Sequence, residues 1–123
     1  STLFPYTTLF RSAQRVLIAR AIAQDVEMLL LDEPTSNLDV KYQIDVMRAI
    51  DQQVRAKNIG ACAVVHDLDL AMRFCDKVVL LHEGRVLDAG KSKDVLNPDN
   101  IRVAYGVESV VDNVYGRDRI MIM

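Results

Sequence analysis

Apolar positions along this chain follow two rhythms, one continuous and one helical. Met28 to Leu31 form an unbroken apolar run bounded by Glu27 and Asp32, the pattern of a strand covered on both faces. Val40, Ile44, Met47, Ile50 and Val54 then recur at helical spacing, which predicts a long amphipathic helix over about 39–57, ended by Ile59 and Gly60. A second buried strand is expected over 61–65, and a short helix over 67–75 that presents Leu70, Ala71 and Phe74. Two further runs, 77–82 and 85–89, flank Glu83-Gly84 and read as a hairpin. Asn97-Pro98 sets a capping residue before a proline suited to the first helical turn, so a helix should continue to Tyr105. Residues 107–123 read as two weak strands around Gly116. Upstream, 13–24 is rich in Ala, Leu, Arg and Gln, contains no Gly or Pro, and has Ser12 as a candidate cap, so it reads as helix.

Strand, helix, strand, helix at these lengths predicts an α/β fold with a mostly parallel sheet, flanking helices and a C-terminal β-hairpin. Ligands in such sheets bind beyond the carboxyl ends of the strands, which is where chemistry is to be sought.

Composition narrows the picture. The 123 residues suffice for one ordinary globular domain or a piece of one. A net charge of −2, from 15 Lys+Arg against 17 Asp+Glu, lacks the clustered basic excess that a nucleic-acid binder needs. No apolar run approaches the roughly 18 residues of a membrane span, and no basic segment precedes an apolar core as in a secretory signal. Cys62 and Cys75 show no CxxC spacing, which fits a reducing compartment. Residues 1–12 stand apart: they carry Phe4, Tyr6 and Phe10 with no helical or strand period, and Pro5 interrupts them. They read as an irregular arm.

Both predicted buried strands end in polar groups at the same edge, Asp32-Glu33 after the first and His66-Asp67 after the second. A carboxylate at the rigid end of a strand can hold a magnesium ion or its water shell, and its neighbour can polarise an attacking water. A strand that stops at a solvated charge pair would look the same. The continuation decides between them: Glu33 leads into Pro34-Thr35-Ser36-Asn37-Leu38-Asp39, and His66 lies at the tip of the next strand.

In these features the chain resembles the nucleotide-binding subunit of ABC transporters. Within that family the apolar strand ending in Asp-Glu is the Walker B motif, Ser-x-Leu-Asp is the D-loop, and the later His is the switch histidine. Gln14-Arg15-Val16 through Ile18-Ala19-Arg20-Ala21 also resembles the helix that follows the family's signature motif. The resemblance covers residues 13 to about 107, and so implies a partial P-loop NTPase fold lacking its N-terminal half. Residues 2–12 resemble instead a translated sequencing adaptor. The domain organisation expected is therefore a non-native or irregular arm over 1–12, the C-terminal part of an ABC ATPase domain over 13–106, and an extension over 107–123.

The resemblance implies ATP and Mg2+ as cofactors. It gives Asp32 the magnesium ion, held through water. Glu33 would orient or deprotonate the water attacking the γ-phosphate, and His66 would donate a hydrogen bond to that phosphate. Ser36 and Asp39, counted with the cofactor-binding residues, would touch the opposite subunit across a homodimer and couple the two sites, although both residue types also serve to shape a turn and cap the next helix. Membrane permease subunits and, indirectly, a substrate-binding protein are the other implied partners, at the cytoplasmic face of the cell membrane. Asn97 to Arg102 followed by Tyr105-Gly106-Val107, with His66 to Ala71, resembles the branch that imports iron-siderophore, haem and cobalamin. A soluble, non-transport ABC ATPase and a non-enzymatic module retaining an ATPase remnant are the competing readings.

Other polar residues take no role. His82 beside Glu83 reads as a hairpin residue, and Arg15 and Arg20 as a solvated helix face. Gly90-Lys91-Ser92 imitates the tail of a phosphate loop but lacks the glycine that loop needs at position 85, which is Arg. No GxxxxGK[ST] occurs in the sequence, so the backbone cradle for the β and γ phosphates is missing. The 123-residue chain is therefore expected neither to bind nor to hydrolyse ATP appreciably. Magnesium-dependent turnover by the purified chain, abolished by Glu33→Gln, would contradict this.

Overall fold

The computed structural model describes residues 18, 20 and 26–123. Of the helix predicted over 13–24, Ile18 and Arg20 are helical; the rest of it, and residues 1–12, lie outside the described residues. The chain divides into two units, Ser1–Val65 and His66–Met123.

In the first unit, β1 (Met28–Asp32) and β2 (Gly60–Val64) pair in parallel, with α1 (Val40–Lys57) as the connection between them. The register runs from Met28 opposite Gly60 to Asp32 opposite Val64, so the two strands end level. Helix α1 buries Val46, Met47 and Ile50 on one face. It ends at Lys57, as the spacing predicts, but the stop is made by Asn58 rather than by Ile59 and Gly60: Asn58 adopts the left-handed conformation (φ 53°) and its N–H bonds back to the last turn. Asparagine is among the few residues that tolerate this geometry, and the stop there frees Gly60 to open β2. The expectation that both strands are covered on both faces is corrected. Leu29 is buried, whereas Met28 and Leu30 are 54% and 79% exposed and Val64 is 51% exposed. Among the described residues the ladder holds two strands, and in a two-stranded sheet alternate side chains point to opposite faces, of which one is left open.

The second unit contains α2 (Leu68–Phe74), the hairpin β3 (Lys77–His82) and β4 (Arg85–Lys91), α3 (Ser92–Val95), α4 (Pro98–Tyr105), and the hairpin β5 (Ser109–Val114) and β6 (Arg117–Ile122). Parallel pairing among the described residues is thus confined to β1 and β2, and the other two sheets are antiparallel. Both hairpins close through two-residue turns whose central residues have positive φ, Glu83-Gly84 (51° and 74°) and Tyr115-Gly116 (51° and 78°). That is the geometry whose twist matches the flanking strands, and glycine at the second position reduces its strain. The strand β4 runs two residues beyond the predicted Ala89.

Val95, Leu96 and Ile101 are almost fully withdrawn from water and, with Leu70, Ala71, Met72 and Leu80, are buried within this unit. Helices α3 and α4 lie against the β3–β4 hairpin, and α4 also meets β5. Asn97 caps α4 by accepting the Asn100 N–H at 2.8 Å. The Asn100 amide in turn donates to the Val95 carbonyl at 2.8 Å and to Asp88 at 2.9 Å, tying the helix to β4. Two guanidinium–carboxylate forks clasp the C-terminal segments. Arg102 donates to both oxygens of Glu108 (2.7 and 2.9 Å), and Arg119 to both oxygens of Asp112 across the β5–β6 ladder (2.8 and 3.2 Å).

The hydrogen bonds from these guanidinium groups hold the Glu108 and Asp112 carboxyls below the ordinary carboxylate range. A carboxyl whose folded pKa is depressed adds stability that is present above its unfolded pKa and lost as pH falls through the folded one. Amide protection in β5–β6 should therefore fall on acidification below the ordinary carboxylate range, and less steeply in Asp112→Asn. Hydrogen exchange measured against pH in both chains checks this, and identical slopes would refute it.

Candidate functional site

Asp32 ends β1 on an exposed rung opposite Val64. The chain then leaves the strand sharply. Glu33 has φ 48°, in the left-handed region, which for a residue with a side chain costs on the order of 1 kcal/mol. Two backbone hydrogen bonds hold it there: its N–H donates to the Val64 carbonyl at 3.1 Å, and its carbonyl accepts the Ser36 N–H at 3.0 Å. The first extends the β1–β2 ladder by one rung, so the carboxylate pair is fixed by the neighbouring strand as well as by its own.

Pro34 and Thr35 are buried beneath the turn, and the Thr35 carbonyl accepts the Leu38 N–H at 3.3 Å. Asn37 takes a second left-handed conformation (φ 61°). Asp39 then caps α1, its carboxylate accepting the Tyr42 N–H at 3.4 Å and its carbonyl the Gln43 N–H at 2.9 Å. Ser36 therefore closes the turn through its N–H, and Asp39 starts the helix. Asp32, Glu33, Ser36 and Asp39 all belong to this one strand-to-helix turn.

His66 opens the second unit, two residues past Val64, and is exposed. Asp67 follows as the cap of α2, its Oδ1 accepting the N–H groups of Asp69 (2.9 Å) and Leu70 (3.0 Å).

Among the described residues no group of three or more His, Cys, Asp or Glu is arranged to hold a metal. A hydrated magnesium ion needs less from the protein. It usually keeps several waters and takes one or two carboxylates together with phosphate oxygens, a role that an exposed acid at a fixed strand end fits. The residues set aside in the sequence sit as structural parts: His82 Nε2 lies 3.8 Å from Glu83, Lys91 ends β4, and Ser92 begins α3.

One residue escaped the sequence reading. Asp69 accepts the Ile120 N–H at 3.1 Å and lies 3.5 Å from Arg117, partners about fifty residues further along the chain. No local pattern signals such a pairing.

No protein-family model matches the chain. It is 47% identical over 103 residues to an uncharacterised ABC transporter ATP-binding protein of Methanocaldococcus jannaschii, covering 84% of this chain and 40% of that protein. It is also 47% identical over 98 residues to the cobalamin import ATP-binding protein BtuD of Halobacterium salinarum, covering 80% of this chain and 25% of that one. Among solved structures, a metal-chelate type ABC transporter in an inward-facing conformation superposes with a TM-score of 0.79 at 24% identity, over 92% of this chain and 46% of that one. The chain thus spans between a quarter and just under half of the length of these relatives, and its fold is part of the ABC ATPase fold.

Removing the cap at Asp39 tests the turn directly. Asp39→Ala should destabilise the first unit by about 1 kcal/mol, while Asp39→Asn, which keeps an acceptor, should stay near the parent. Chemical denaturation of the three chains measures this, and equal midpoints would show that the Tyr42 bond contributes nothing.

Proposed function

We propose, on the premise that this chain is homologous over most of its length to the C-terminal part of ABC transporter ATP-binding proteins, that it carries the hydrolytic edge of such a subunit. The observation that carries the reading is the level end of β1 and β2, where Asp32 and Glu33 are pinned by Val64 and run directly into the Ser36–Asp39 turn.

Bound magnesium would offset the negative charge of the phosphates. Asp32 would hold it through water. Glu33 would orient the attacking water and take its proton, aided by a backbone too constrained to drift. His66 would donate a hydrogen bond to the γ-phosphate, which either a neutral or a charged imidazole can do. Ser36 and Asp39 would face the second subunit of a homodimer. In this reading residues 13–106 belong to the ATPase domain and 107–123 extend it.

The relatives support a metal-chelate importer, with cobalamin or haem as cargo of the whole assembly and permease subunits as the membrane partner, while iron-siderophore cargo rests on the sequence resemblance alone. Among the described residues no helix is long and apolar enough to cross a membrane. The proposed location at the cytoplasmic face rests on permease contact. The 123 residues contain no phosphate loop, and we assign turnover to the domain that includes one.

The test joins residues 13–123 to the phosphate-loop portion of the Halobacterium salinarum relative and measures magnesium-dependent ATP hydrolysis. Glu33→Gln and His66→Ala should each lower turnover by on the order of 10²–10⁴ while ATP binding is kept. Undiminished turnover in Glu33→Gln would overturn the assignment.

A further inference from the structure

The first turn of α2 is held from two directions. Asp67 caps it from the N-terminal side, and Asp69 reaches from it to the C-terminal hairpin: one carboxylate oxygen accepts the Ile120 N–H at 3.1 Å and the other lies 3.5 Å from the Arg117 guanidinium. Helix α2 lies along β6, and Asp69 adds to the field that holds the proton on Arg119, itself forked onto Asp112 of β5. His66 is the residue immediately before this clamped turn.

We propose that Asp69 is a positioning residue for His66, and that the β5–β6 hairpin acts through it as a clamp on the histidine's segment. The functional meaning rests on the role given to His66 above; the clamp itself does not. The two contacts are unequal. Arg117 and Asp69 are both about two-fifths exposed, and ion pairs in that setting contribute little. The bond to the Ile120 N–H satisfies a backbone donor with a charged acceptor and is the stronger tie. The order of effects follows from this: losing the acceptor should matter, losing the cation should not.

The experiment is NMR of the 123-residue chain without nucleotide, following the His66 ring Hε1 signal and the exchange of the Leu70 and Ala71 amides, which bond to Asp67. The Leu96 and Ile101 amides, which bond within α3 and α4, serve as internal controls. Asp69→Ala should speed exchange at Leu70 and Ala71 roughly tenfold and shift the His66 signal, with the controls unchanged. Asp69→Asn, retaining an acceptor for Ile120, should restore most of the protection, and Arg117→Ala should lie near the parent chain. Unprotected Leu70 and Ala71 in the parent, an unmoved His66 in Asp69→Ala, or equal acceleration at the controls would each overturn the proposal. Because no nucleotide is involved, these outcomes are distinct from loss of the ATPase role, which the His66→Ala turnover measurement decides.

Discussion

The parallel ladder between β1 and β2 is the constraint from which the candidate site follows. Parallel strands cannot be joined by a tight turn, so the chain must cross over before it returns, and α1 is that crossover. Pairing in register from Met28–Gly60 to Asp32–Val64 brings both strands to an end on the same rung. Glu33 is then held one step further by Val64 while its own backbone turns into the left-handed region. The strain is local, and the ladder that sustains it is also what fixes the acids.

The second unit uses other means. Its strands pair antiparallel with neighbours close in sequence, its turns are glycine-assisted, and its small core of Val95, Leu96 and Ile101 is sealed by short helices. Specificity between its parts comes from side chains that bond across long stretches of sequence: Asn100 to Asp88, and Asp69 to Arg117 and the Ile120 amide. Forks such as Arg119–Asp112 have fixed planar geometry, which sets direction as well as energy.

Much of this was legible in the residues. The helical spacing of Val40 through Val54, the Asn97-Pro98 start of α4 and the Glu83-Gly84 turn each combine a local conformational preference with a hydrophobic period, and the structure places elements there. Asp39 as a cap was readable for the same reason. The strands were harder. An unbroken apolar run such as Met28–Leu31 predicts a strand but does not reveal what covers it, and here one face carries Leu30 at 79% exposure.

Local pattern along the chain was enough for most of the elements, for the Glu83-Gly84 turn and for the order of the acidic, D-loop-like and histidine positions, because each depends on contacts within a few residues. Tertiary structure alone decided the level ending of the two parallel strands, the left-handed seat of Glu33 and the hold of the hairpin on Asp69. Those depend on hydrogen bonds between groups some thirty to fifty residues apart, and only the folded chain brings such groups within reach.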